Sequence, residues 1–85
     1  AAPGELNMKE IDPMFRDAAT LIVTYQKGST SLIQRKFSIG YNRAGRLMDQ
    51  MERAGIVGPA NGSKARDVIC ISEEDLELTL TNLGI

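Results

Sequence analysis

The 85-residue chain contains no histidine, no tryptophan and a single cysteine. Zinc sites of the usual types and catalysis by serine–histidine or cysteine–histidine pairs are therefore excluded. The lone Cys70 cannot form an internal disulfide, and its place in an apolar run predicts a small buried side chain. The sequence also lacks the G-x-x-x-x-G-K-[ST] phosphate loop, so we expect a non-enzymatic domain without a cofactor or a metal.

Long apolar runs are missing as well, and none approaches the roughly 20 residues of a transmembrane helix. No secretory leader is visible at the start, and the first residue is Ala1 rather than a methionine. We therefore expect a fragment or processed chain that forms one small domain without membrane contact. With 42% hydrophobic residues but only two Phe and two Tyr, its core should be mostly aliphatic.

The net charge of −1 conceals an uneven distribution. Residues 1–12 carry a net −2 and residues 67–85 carry −5, with no basic residue in the latter. Residues 13–66 hold nine basic side chains against three acidic ones, a net +6. A basic middle of this kind is compatible with a polyanionic partner.

The first helix is marked by the pair Asp12-Pro13, a typical N-cap followed by a typical first helical residue. Apolar residues then recur at helical spacing, which predicts a helix over about 13–27. Gly28 is suited to the position after its last turn. Residues 1–11 are punctuated by Gly, Pro and Asn, and we interpret them as a linker.

A second helix is predicted over about 32–37. Ser31 and Gln34 have the spacing of a capping box, in which the serine would cap the helix. A three-residue turn, Ser38 to Gly40, then leads to the third helix.

The third helix is predicted over about 41–54, with Gly55 as its stop signal. At 100° per residue, one face collects polar side chains and the opposite face collects aliphatic ones. The polar set is Asn42, Arg46, Asp49 and Arg53, and the aliphatic set is Ala44, Leu47, Met48 and Met51. Such a helix buries one side and presents hydrogen-bonding groups on the other, as a helix in the DNA major groove does.

Short strands are predicted at 56–57 and 67–71, joined by a turn-rich loop into a hairpin whose tip carries Lys64 and Arg66. Residues 72–85 form an acidic extension. Its Leu spacing fits a helix, although Leu-Glu-Leu-Thr-Leu-Thr also alternates like a strand; we predict a helix.

The order of these elements predicts a mostly α fold with a small β hairpin (α+β). It is that of a winged helix-turn-helix domain over 12–71, with a three-helix core, a wing and a C-terminal helix. In such domains the second helix of the turn motif enters the major groove.

Three stretches carry a family resemblance: SLIQRKFSIGYNRA over 31–44, MERAGIVGP over 51–59, and GSK at 62–64 followed by RDV at 66–68. They closely resemble the C-terminal γ domain of the FtsK/SpoIIIE family of DNA translocases. The resemblance covers about residues 12–71.

The resemblance implies a winged-helix DNA reader at the C-terminus of a membrane-anchored, hexameric bacterial ATPase that pumps chromosomal DNA at the division septum. Such domains recognise short G-rich sequences whose orientation directs the motor, and in some members they activate a site-specific tyrosine recombinase. This chain would then be the cytoplasmic, double-stranded-DNA-binding part of an inner-membrane protein.

The family's base-reading positions correspond here to Asn42, Arg46 and Asp49. The family often has Glu at the position of Asp49 and Ala at the position of Gly45. Cations around the recognition helix are interpreted as phosphate contacts, which position the domain without selecting sequence. They are Arg35, Lys36, Arg43, Lys64 and Arg66.

Two neighbouring residues are assigned other roles. Arg53 is interpreted as a surface residue at the far end of the helix that could pair with Asp49 at i, i+4. Tyr41 is interpreted as a packing residue at the start of the helix, whose hydroxyl could also bind a phosphate. The alternative function is a protein–protein module that contacts a recombinase or neighbouring subunits and does not read DNA sequence. It would expose an apolar patch and show little salt-sensitive affinity for DNA.

Overall fold

A computed structural model of the chain describes residues 11–62 and 64–85, and the predicted linker over 1–11 lies almost entirely outside them. Four helices are present in the described part: α1 (Phe15–Tyr25), α2 (Thr30–Phe37), α3 (Tyr41–Arg53) and α4 (Glu73–Leu83). The molecule is therefore mostly helical, as predicted, and the C-terminal segment is a helix rather than a strand. None of these helices is both long and apolar enough to cross a membrane.

Helix α1 begins and ends inside its predicted limits. The Asp12 Oδ1 accepts a hydrogen bond from the Met14 N–H at 2.8 Å, but Pro13 and Met14 form a turn ahead of the helix. The helix ends at Gln26, which takes the left-handed conformation with φ 51°. Its side-chain amide donates to the carbonyls of Val23 and Cys70, which stabilises this conformation. The prediction that Gly28 follows the last turn was therefore wrong.

Helix α2 starts two residues earlier than predicted. Ser29 is extended, and its Oγ accepts from the Leu32 N–H at 3.3 Å, so Ser29 rather than Ser31 is the N-cap. Ser31 lies in the first helical turn, where its hydroxyl is 3.0 Å from that of Ser29.

Helix α3 agrees with the prediction to within one residue. Gly55 ends it with φ 81°, a backbone conformation that side chains with a Cβ rarely adopt. The Ile56 N–H donates to the Met51 carbonyl at 2.9 Å, and the Gly55 N–H donates to the Glu52 carbonyl at 3.0 Å. These two bonds are those of a Schellman motif, in which the carbonyls of the last turn are satisfied.

The predicted strands are represented by isolated antiparallel bridges between Val57 and Val68 and between Asn61 and Lys64. The Gly58 N–H donates to the Asp67 carbonyl at 2.8 Å, which holds the two ends of the 58–67 loop together. In the described part of the chain no longer ladder forms. The predicted strand over 67–71 is thus reduced to the bridge at Val68. Beyond it, the N–H groups of Ile69 and Cys70 both donate to the Ile56 carbonyl, at 2.8 and 3.4 Å, before the chain reaches α4.

The core is formed by all four helices. Among its fully buried side chains only Phe15 is aromatic, in keeping with the predicted aliphatic core. Cys70 is buried in the same cluster, as predicted. Helix α4 contributes Leu76 and Leu80, so the acidic extension is packed on α1. The other members of the cluster are Ala18, Ala19, Ile22, Val23, Ile33, Ala44, Leu47, Met48, Met51, Ile56 and Val57.

Candidate nucleic-acid interface

Helix α3 separates its side chains into the two faces that its periodicity predicts. The aliphatic set is fully buried against α1 and α2. The four polar residues, Asn42, Arg46, Asp49 and Arg53, are all exposed. Because the buried face fixes the rotation of the helix, the orientation of the polar face follows directly from core packing.

Two of the predicted base-reading side chains are exposed and are not held by the residues described. Within the described ranges, neither Asn42 nor Arg46 makes a side-chain hydrogen bond or an ion pair. An exposed Arg can donate two hydrogen bonds to guanine, and an exposed Asn can both donate to and accept from adenine. These two side chains are therefore available to a ligand from solution.

Asp49, the third predicted base reader, is in contact with the 58–67 loop. The Arg66 Nη2 donates to the Asp49 Oδ1 at 3.0 Å, and the Arg66 Nη1 lies 3.1 Å from the Glu52 Oε1. Nη1 is also 3.4 Å from the Met48 carbonyl oxygen. The Arg66 side chain is only 13% exposed, whereas that of Asp49 is 60% exposed. The structure thus places a predicted base reader and a predicted phosphate contact in one ion pair.

The backbone of Arg66 is also held in place. Its N–H donates to the Gly28 carbonyl at 2.9 Å, and the two residues form an antiparallel bridge. The Arg66 carbonyl oxygen occupies the space that a Cβ on residue 28 would need. Gly28 is therefore required by the close approach of two backbones, a role that its position between two predicted helices did not reveal.

Arg43, another predicted phosphate contact, pairs with Asp12 in a bidentate arrangement. The Arg43 Nε donates to Oδ2 and the Nη2 to Oδ1, both at 2.9 Å. The hydrogen bond from Arg43 lowers the pKa of the Asp12 carboxyl, and the Met14 N–H acts in the same direction. The same pair raises the pKa of Arg43. The Asp12 N–H also donates to the Gln50 Oε1 at 3.2 Å, so the start of α1 is attached to α3 at two points.

The remaining predicted phosphate contacts are exposed cations. Arg35 and Lys36 lie in the last turn of α2, and Lys64 lies near the tip of the 58–67 loop. No ion pair involves any of the three within the part of the chain that the structure describes. Lys64 borders a polar cleft between this loop and the starts of α2 and α3, which is also lined by Ser29, Ser31, Gln34 and Tyr41.

Arg53 is exposed, as predicted for a surface residue, whereas Tyr41 differs from its predicted packing role. Within the described residues the Asp49 carboxylate pairs with Arg66 and not with Arg53. Arg53 remains exposed and borders a groove with Arg46 and Asp49. Tyr41 is 70% exposed, so it is a surface residue of the cleft rather than a packing residue.

The acidic helix lies away from this surface. Helix α4 packs against α1 and makes no comparable contact with α2 or α3. Its Glu77 pairs with Arg16 at 2.7 Å, and its Glu73 accepts from the Thr24 hydroxyl at 2.7 Å. The negative charge of the C-terminal segment is thus directed to the α1 side of the molecule, and the basic middle keeps its own surface.

Comparison with known proteins finds one matching family model and relatives whose names agree with it. A family model described as the Ftsk gamma domain matches residues 9–70. The chain is 51% identical over 72 residues to a DNA translocase FtsK of Chlorobaculum tepidum, covering 85% of this chain and 9% of that protein. It is 56% identical over 64 residues to a DNA translocase FtsK of Corynebacterium glutamicum, covering 75% of this chain and 7% of that protein. The chain thus corresponds to less than a tenth of the length of these relatives.

Proposed function

Because the chain belongs to the FtsK gamma domain family, we propose that it is a sequence-specific reader of double-stranded DNA. In this proposal α2 and α3 are a helix-turn-helix unit, and the 58–67 loop is the wing of a winged-helix fold. Helix α3 enters the major groove. The observation that carries the proposal is the exposed polar face of α3 opposite a fully buried aliphatic face, with Asn42 and Arg46 unpaired among the described residues.

The chemistry of that face suits base edges. Arg46 has the paired donors that guanine O6 and N7 accept, and Asn42 has the donor–acceptor pair that adenine requires. The Asp49 carboxylate accepts hydrogen bonds, as needed for the amino group of cytosine. The preferred site should therefore contain guanine on the strand that Arg46 contacts.

Phosphate contacts in this proposal come from cations that make no ion pair with the residues that the structure describes. Lys64, Arg35 and Lys36 are exposed, and each neutralised phosphate adds affinity that does not depend on sequence. The guanidinium groups of Arg43 and Arg66 are already paired with carboxylates, which makes them weaker candidates for this role.

The proposed cellular role follows from the relatives named DNA translocase. The domain would read short G-rich, oriented sequences and so direct chromosome transport during bacterial cell division. Catalysis of ATP-driven movement would belong to other parts of a hexameric, membrane-anchored parent protein, and this domain would face the cytoplasm. A tyrosine recombinase is a further proposed partner.

A second candidate function is a protein–protein contact made by the 67–85 segment. The apolar side chains of Ile69, Ile71 and Leu78 are more than half exposed. They lie outside the polar face of α3, so a recombinase or subunit contact there would be compatible with DNA binding. The double variant Ile71→Ser and Leu78→Ser should leave DNA affinity unchanged and weaken only such a contact, measured by binding to the purified partner.

The experiment that tests DNA reading is selection from duplexes with a short randomised segment, followed by fluorescence anisotropy on the enriched duplex and a scrambled one. Arg46→Ala should reduce the affinity ratio between the two duplexes by roughly 5- to 150-fold, the range for one bidentate base contact of about 1–3 kcal/mol. Arg53→Ala is the matched control, because it removes the same side chain from the same exposed face. It should change the ratio less than about twofold.

Lys64→Ala separates phosphate binding from base reading. It should weaken binding to both duplexes equally and reduce the slope of log K against log salt concentration by about 0.9. Failure of the selection to enrich any sequence, or equal affinities for both duplexes, would refute sequence-specific reading.

A further inference from the structure

The guanidinium of Arg66 lies between two carboxylates of α3. Asp49 and Glu52 are three residues apart, so their side chains leave the same side of the helix and repel each other. Nη2 of Arg66 binds the first and Nη1 binds the second, at 3.0 and 3.1 Å. One positive charge from the loop thus holds both negative side chains.

The exposed fractions of the three side chains show which of them a ligand can reach. The Arg66 side chain is 13% exposed, against 60% for Asp49 and 45% for Glu52. A phosphate oxygen that approached Arg66 would have to replace a carboxylate and leave it unpaired beside the DNA. The exposed member of the pair is Asp49.

The position of Arg66 is set by its backbone before any ligand arrives. The bridge to Gly28 fixes the start of its side chain, and the contact with the Met48 carbonyl brings the guanidinium against the α3 backbone. A guanidinium held in this way is a rigid, planar donor. It therefore restricts the carboxylate that it binds.

Only one oxygen of Asp49 is used by this contact. Oδ1 accepts from Arg66, and within the described residues Oδ2 has no protein donor. A mobile carboxylate would lose rotational freedom when it binds a base. A carboxylate that is already held in place binds with a smaller entropic cost. The pairing also reduces the repulsion between Asp49 and nearby phosphates.

We propose that Arg66 is a specificity-determining positioning residue: it fixes the Asp49 carboxylate so that its free oxygen accepts a hydrogen bond from a base amino group. Arg66 itself does not bind phosphate. This inference rests on the proposed function, because it requires that Asp49 contacts a base. Arg66 thus contributes to base selection and not to phosphate binding, the role that the sequence predicted.

The test is the selection from randomised duplexes, repeated for separate variants. Asp49→Ala should abolish the preference at one base pair, and Arg66→Ala should abolish it at that same base pair. Arg46→Ala should remove the preference at a different base pair. Glu52→Ala is the matched control, since it removes the other carboxylate but leaves the Asp49–Arg66 pair; it should retain every preference within about twofold.

Salt titration adds a measurement that a purely structural role would not alter. Arg66→Ala should lower affinity for the enriched duplex by about fivefold or more and leave the salt slope unchanged. In an Asp49→Ala background, adding Arg66→Ala should have no further effect on base preference. Circular dichroism checks that each variant is folded. If Arg66→Ala is unfolded, Arg66→Lys replaces it, since lysine keeps the charge without the planar fork and should also weaken the preference at that base pair.

The outcomes distinguish this inference from the function on which it rests. If the unaltered chain enriches a sequence but Arg66→Ala weakens all duplexes equally and reduces the slope by about 0.9, Arg66 is a phosphate contact and the inference is wrong. Loss of preference at a base pair other than that of Asp49 would also overturn it. If the unaltered chain enriches nothing, the proposed function fails and the inference fails with it.

Discussion

Replacing Asp12 by Asn should destabilise the domain, because this carboxylate fastens the start of α1 to α3. It accepts two hydrogen bonds from Arg43 at 2.9 Å and one from the Met14 N–H at 2.8 Å. The Asp12 side chain is only 13% exposed. An asparagine of the same size retains one oxygen acceptor but loses the charge and the second oxygen that Arg43 binds.

The size of the effect follows from the environment of the pair. A hydrogen bond to a charged group contributes roughly 1.5–3 kcal/mol when it is shielded, whereas an exposed ion pair contributes about 0.2–1 kcal/mol. Asp12 is shielded, but Arg43 is 40% exposed, so solvent screens part of the interaction. We expect Asp12→Asn to lower the free energy of unfolding by about 2 kcal/mol, which corresponds to roughly 8–16 °C in melting temperature for a domain of this size.

The loss should depend on pH in a defined direction. The hydrogen bond from Arg43 places the pKa of Asp12 below its ordinary value, so the unfolded chain binds this proton more readily than the folded one. The stabilisation is therefore fully present above the ordinary carboxyl pKa of about 3.9 and is lost as pH falls toward the lowered pKa. Since asparagine does not titrate, the difference between the two proteins should shrink over that range.

Urea unfolding followed by circular dichroism measures this difference at neutral pH and at a series of acidic pH values. Asp67→Asn is the control, because Asp67 is exposed and its carboxylate makes no ion pair within the described residues. It should change stability by less than about 0.5 kcal/mol. A difference for Asp12→Asn that is equally small, or that persists unchanged to the lowest pH, would refute the role given to the pair.

Three further predictions concern two glycines, the packing of α4 and the buried cysteine. Gly45→Ala should raise the free energy of unfolding by about 0.5–1 kcal/mol, because the site is helical and has open space around it. Gly55→Ala should lower the free energy of unfolding, because residue 55 has φ 81° even though the space around it is also open. Urea unfolding of both variants checks this pair of effects. Leu80→Ala should cost about 3–5 kcal/mol and Leu78→Ala little, since only the first is buried; equal effects in urea unfolding would contradict the packing of α4. Burial raises the pKa of the Cys70 thiol, so labelling by a thiol reagent at neutral pH should be slow in the folded protein and fast in urea; fast labelling of the folded protein would contradict its burial.

Local patterns in the sequence were sufficient to predict the helices but not all of their ends. Helix α3 follows from its periodicity and from Gly55, because both signals lie within the segment itself. The start of α2 was misplaced because Ser29 and Ser31 are both good caps, and only the backbone conformation chooses between them. The end of α1 was misplaced because Gln26 is held in its left-handed conformation by Cys70, which is 44 residues away in the chain.

The candidate site likewise combines features that follow from one segment of the sequence with contacts between distant residues. The periodicity of α3 was enough to identify its exposed side chains. Its aliphatic side has to face the core, and its polar side then faces solvent. Periodicity could not show that Arg66 lies against Asp49 or that Arg43 lies against Asp12, because these pairs join residues 17 and 31 positions apart. Side chains of suitable charge are common, and only the packing of the chain decides which of them meet.

These ion pairs reduce the number of basic side chains that can bind DNA phosphates. Of the nine basic residues between positions 13 and 66, three form ion pairs within the described part of the chain: Arg16, Arg43 and Arg66. Among the predicted phosphate contacts, three remain exposed and unpaired in the described structure: Arg35, Lys36 and Lys64. Three phosphate contacts correspond to a salt slope of roughly −2.7, well below that of proteins with six to ten contacts. A single copy should therefore bind DNA weakly, and strong binding would require several copies held together, since linked sites raise the effective concentration.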